Sequence, residues 1–121
     1  MKNEKQNTEK GVLIPHQQMD LERELEREMM GIKNDLENSI ETRNYEAIDE
    51  FLDDALDLML HVSAGTKDMV GFDIGITIGG PFITLEYTRN RCELIGAWGG
   101  ARLTMDVNNE VCEEIMERLT F

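Results

Sequence analysis

Basic residues are scarce in this 121-residue chain. Twelve Lys and Arg stand against 25 Asp and Glu, for a net charge of −13. That excess repels nucleic acid and anionic membranes, so the partners to expect are themselves basic. Long apolar runs are missing too. No stretch approaches the roughly 18 residues of a membrane span, and the opening MKNEKQNTEKG has no apolar segment of the kind a secretory signal carries. The expectation is a cytoplasmic protein. Cysteine is confined to Cys92 and Cys112 and histidine to His16 and His61, with no CxxC pair. No local spacing supports a zinc site, and two buried, reduced thiols are expected.

What is present describes an ordinary folding chain, with 40% hydrophobic and 31% charged residues. The length suits one domain. Residues 1–16 mix Lys, Glu, Asn and Gln without periodicity and contain one apolar patch, Val12 to Ile14. They read as a mobile tail ahead of a single domain over 17–121.

From Met19 onward, Leu21, Leu25, Met29, Ile32, Leu36 and Ile40 recur at intervals of three and four. That spacing predicts an amphipathic helix of about six turns. Gly31 falls in its middle as a bend or close-packing point. Asn44 is placed to cap a second helix over about Tyr45 to His61, and the short connection makes the pair an antiparallel hairpin. Beyond SAGTKD the period changes to two. Phe72, Ile74, Ile76 and Ile78 share one strand face, then Ile83, Leu85 and Tyr87, then the third strand CELIGAW, then Ala101, Leu103, Met105 and Val107. Asn108 or Asp106 caps a last helix with Val111, Ile115 and Leu119 inward. The expectation is an α+β fold in two layers: an N-terminal helical hairpin, a four-stranded antiparallel meander and a C-terminal helix.

The glycines of GFDIGITIGG do not fit a phosphate-binding loop. They lie within a strand pattern followed by Gly-Pro, whereas GxGxxG and GxxxxGK each open a helix. Bare strand positions that admit a close neighbour explain them better. Trp98, between Ala97 and Gly99, reads as a core residue in preference to an exposed anchor.

Catalytic signals are weak. Only one histidine lies outside the tail, which leaves few nucleophile and base pairs to consider. On a helix over 45–61, Asp49 and Asp53, and Asp57 and His61, have the i, i+4 spacing that can hold a divalent metal. Any acidic helix offers such pairs. Neither a cofactor nor a catalytic residue is therefore expected.

The sharpest pattern is IDEFLDDALDLMLH, residues 48–61, which contains no Lys or Arg. As a helix, residues 45–62 place Glu46, Asp49, Glu50, Asp53, Asp54 and Asp57 within an arc of about 140°, with Leu60 the one apolar residue off the opposite face. Six carboxylates then span about 17 Å, roughly one per 3 Å, close to the one phosphate per about 3.4 Å of a DNA strand. The last helix adds Glu110, Glu113, Glu114 and Glu117. This charge pattern leads to the expectation of a nucleic-acid mimic, an inhibitor of anti-restriction or anti-CRISPR type that fills the basic cleft of a DNA- or RNA-binding protein. An acidic adaptor or homodimeric interaction domain is the second reading, a metal-dependent enzyme the third, and acidity that serves solubility alone is the plain alternative.

Overall fold

The architecture is set by how closely the first helix can approach the sheet. The computed structural model describes residues 15–77 and 80–120, with side chains from residue 19 onward. Helix α1, Pro15–Glu41, is unbroken and buries Leu25, Met29 and Leu36. Below Leu25 and Met29 lies Gly96, where a Cβ would sit 2.6 Å from Met29 Sδ and 2.9 Å from Leu25 Cδ1. A missing side chain on the sheet therefore admits the helix. Gly31, expected as a bend or packing point, is exposed, and a Cβ there would meet nothing within 4 Å.

The elements that follow are α2 (Tyr45–Asp53), β1 (Asp57–Val62), β2 (Met69–Thr77), β3 (Phe82–Thr88), β4 (Arg91–Trp98), β5 (Ala101–Asp106) and α3 (Asn109–Leu119). All five strands form one antiparallel sheet in the order β1-β2-β3-β4-β5. The α+β class and the two layers are as expected from the sequence. The strand count is five, not four, because the second helix stops at Asp53 and the chain turns into an edge strand. The physical reason is in the run itself. Asp53 and Asp54 stand at the helix C-terminus, where negative charge opposes the helix dipole, and no basic residue sits in that last turn. Leu58, Leu60 and Val62 alternate with Asp57, Met59 and His61, which is the strand period.

The core lies between the helices and one sheet face. Phe72, Ile74, Ile83, Leu85, Tyr87 and Leu94 from the sheet meet Leu25, Met29, Ile48, Val111 and Ile115 from the helices. Trp98 packs partly buried against this core. The turns after β3 and after β4 are two residues each. Arg89 and Asn90 take positive φ between β3 and β4, as a type I′ turn requires, and Gly99 does so between β4 and β5. Within β2, Gly71 runs so close to β3 that a Cβ would overlap the Tyr87 carbonyl oxygen. This is the close neighbour that the strand reading of the glycines requires.

Three links fasten α3 and its approach. Lys33 Nζ donates to the Asp106 carbonyl at 2.9 Å, and the Asn108 amide donates to Glu37 Oε2 at 2.9 Å. Asn108 Oδ1 accepts from the Glu110 amide, so Asn108 is the cap. Asn44 makes no such side-chain bond at α2. The third link corrects the expectation of reduced thiols: Cys92 on β4 and Cys112 on α3 form a disulfide across 20 residues. Both are buried, as expected, and the fold alone makes them adjacent. Disulfides persist chiefly in oxidising compartments, which weighs against the cytoplasmic expectation. Among the described residues no helix is long and apolar enough to cross a membrane. The tail expected over residues 1–16, including Val12 to Ile14, lies outside the described residues up to residue 14; residues 15 and 16 already belong to α1.

Two stability outcomes follow from this packing. Gly96→Val should cost about 1–3 kcal/mol by overpacking, while Gly31→Ala should gain about 1 kcal/mol, both read by urea denaturation. Reduction of the disulfide should cost about 3 kcal/mol for a loop of this length, seen as a lower melting temperature in dithiothreitol.

Candidate functional site

The acidic residues singled out in the sequence divide between elements. Glu46, Asp49, Glu50 and Asp53 are exposed on α2, and Asp54 is its C-terminal cap. Asp57 is not on that helix. It lies on β1, opposite Gly75, so the even six-carboxylate stripe is broken after Asp54. The same change removes the helical Asp57 and His61 pair. Four residues apart on a strand, they stand about 13 Å from each other. Among the described residues no group of three or more His, Cys, Asp or Glu is placed to hold a metal ion.

What the fold adds is contact between the two acidic helices. Arg118, in the last turn of α3, places Nε 2.6 Å from Asp49 Oδ1 on α2 and Nη1 2.6 Å from Glu114 Oε2. Its guanidinium carbon also lies 5.7 Å from the centre of the Tyr45 ring. The hydrogen bonds to Asp49 and then to Glu114 raise the arginine pKa further, so its charge is permanent. One cation thus holds α2 against α3 in a region of high negative charge. Glu110, Glu113, Glu114 and Glu117 border a cleft with Tyr45 and Arg43 at this junction. Glu50 and Asp54 turn to the other side of α2, into a depression shared with Asp35 of α1. The carboxylates of α2 are thus divided between the junction with α3 and the depression beside α1.

A second acidic feature, on the opposite face of the molecule, escaped the sequence reading. Cross-strand register places Asp73 beside Glu86, Glu86 beside Glu93, and Glu93 beside Asp106. With strands about 4.8 Å apart, four carboxylates make a row about 14 Å long on the sheet face that none of the described helices covers. Burial raises the Glu86 pKa, and the neighbouring charges of Asp73 and Glu93 raise it further, against the lowering effect of Arg102 and His61. The flanking basic side chains are loosely engaged. Arg91 lies 3.7 Å from Glu93 and 4.0 Å from Asp106, and is largely exposed. His61 Nε2 lies 3.0 Å from Asp73 Oδ2 but off the line that a hydrogen bond needs. The signal for this row was in the turns. Two-residue loops at Arg89-Asn90 and Gly99-Gly100 fix the pairings of Glu86, Glu93 and Asp106 by counting outward.

A groove of about 660 Å³ opens where β1, β2 and the β3–β4 turn face α3, with Met69, Val70, Tyr87 and Met116 as apolar walls and Arg89 and Glu113 at its margin. Its imidazole, His61, is the one beside Asp73.

Removing charge from the middle of the row should stabilise the fold. Because folding raises the Glu86 pKa, its contribution is present at acidic pH and is lost as pH rises through the folded value. Glu86→Gln should therefore gain about 0.5 kcal/mol near neutral pH, a modest figure for a solvent-screened cross-strand repulsion, and match the parent in acid. Thermal melts across that range read the difference.

Comparison of the chain with protein-family models, with curated proteins and with solved structures finds no match, so the charge geometry carries the functional reading.

Proposed function

We propose that this chain is a small acidic binding protein without catalytic residues, and that it blocks a DNA- or RNA-binding protein by occupying its basic cleft in place of nucleic acid. The supporting observation is the Arg118 bridge. By joining Asp49 to Glu114 it sets the carboxylates of α2 beside those of α3, and leaves Glu46, Asp53, Glu113 and Glu117 exposed around it. A surface meant only to remain soluble has no need of preorganisation. One meant to receive lysines and arginines gains from it, because carboxylates already held together need little further ordering on binding.

The even, DNA-like spacing first expected over residues 46–57 is no longer part of this reading, since Asp57 belongs to β1. What remains is a two-helix patch of high negative density, suited to a partner whose cleft tolerates approximate phosphate placement. Nucleases of restriction or RNA-guided type have such clefts, and belong to the class of partner proposed. The adaptor reading draws on a different feature, the apolar edge of the sheet.

Immobilised full-length chain, exposed to cell extract, should retain basic nucleic-acid-binding proteins and release them to excess duplex DNA or RNA. Raising salt from about 50 to 200 mM should weaken retention at least about tenfold, as for phosphate contacts. The combined variant Glu46→Gln, Asp53→Asn, Glu113→Gln and Glu117→Gln, which leaves the Arg118 bridge intact, should lose retention to a similar degree. Retention indifferent to nucleic acid, to salt and to these changes would sink the proposal.

A further inference from the structure

The sheet ends differently at its two edges. At β5 the exposed side chains are Arg102, Thr104 and Asp106, and Lys33 covers one carbonyl. Charges of this kind normally keep an edge from pairing with another chain. At β1 the sequence is DLMLHV, without Lys or Pro, and five of its six residues are exposed. Leu58, Met59, Leu60 and Val62 are between 40% and 57% exposed, and Leu56 and Val70 beside them are also open. The register with β2 puts Leu58 and Leu60 opposite the buried Ile74 and Phe72, on the face that the helices cover elsewhere. A core-type strip thus runs past the last helix to an edge with which no other described strand pairs.

We infer that β1 is the docking edge for a second copy of this chain, the two strands pairing antiparallel about a two-fold axis through Met59 and joining the two five-stranded sheets into one. The sequence of β1 is complementary to its own reverse. With Met59 opposite the partner's Met59, Leu58 faces the partner's Leu60 and Asp57 faces the partner's His61. Apolar side chains meet on the helix-bearing face. On the open face each carboxylate meets an imidazole, which also lies beside Asp73 of its own chain. Such a pairing uses the same surface on both copies, so it closes at two and leaves the charged β5 edges outward. It places the two carboxylate rows in one line on the open face, with the Met59 pair between Asp73 and the partner's Asp73.

This inference is independent of the proposed inhibitory role, because its readout is the self-association of the pure chain. Sedimentation of the full-length protein at micromolar concentration should give twice the 13.9 kDa chain mass. Leu58→Lys with Leu60→Lys should weaken the dimer about 100-fold or more, by setting unpaired charges into the apolar strip, while circular dichroism stays unchanged. A milder pair reads the geometry without disturbing the fold. Met59→Cys should be joined to its counterpart by a short bis-maleimide, the two positions being about 5 Å apart. Val62→Cys should not, since its counterpart lies about 20 Å away. A chain that stays monomeric, a dimer indifferent to the two lysines, or cross-linking at Val62→Cys in preference to Met59→Cys would each overturn the inference.

Discussion

The close passage of α1 over β4 at Gly96 is the contact on which the rest of the molecule depends. With no Cβ in the way, Leu25 and Met29 reach the backbone of β4. The helix then lies low enough for Lys33 and Glu37 to bond the link between β5 and α3. That link and the Cys92–Cys112 disulfide hold α3 on the same face, and α3 delivers Arg118 to α2. A side chain at 96 would lift α1, and the junction of the two acidic helices would lose its support.

Charge in this protein is sorted by face. Of the 25 acidic residues, Asp49 of α2 and Glu114 of α3 meet at a fixed arginine, while Asp73, Glu86, Glu93 and Asp106 line up across the open side of the sheet. The two groups differ physically. The helix group holds a short, two-point cation bridge, whereas the row on the sheet has a more loosely held cation, Arg91, and a carboxyl with a raised pKa. Repulsion within the row costs stability near neutral pH, and the disulfide and apolar core offset that cost.

Much of the fold was legible in the sequence because apolar period reports directly on burial. The three-and-four spacing from Leu21 to Ile40, the alternation in β2 from Phe72 to Ile76 and in β3 to β5, and the cap at Asn108 all describe what the structure contains, while Ile78 lies outside the described residues. The exception was residues 54–62, where an acidic run with mixed spacing reads as helix or strand over a few residues. Leu60, the one apolar residue off the helical face, marked the conflict, and the acids at a helix C-terminus decide it. The candidate surface was legible only in part. Glu110 to Glu117 and Glu46 to Asp54 could be named from helical faces. Their meeting through Arg118, the row from Asp73 to Asp106 and the disulfide each depend on tertiary neighbours that no local spacing reveals.

The proposed function requires that a basic partner seat on the two-helix surface, leaving the carboxylate row and β1 free of it. Amide hydrogen exchange of the full-length chain, alone and bound to a captured partner, tests this most directly. The expected result is slowed exchange in α2 and α3, with the strands unchanged. Slowing confined to the strands, with α2 and α3 exchanging as in the free chain, would contradict it.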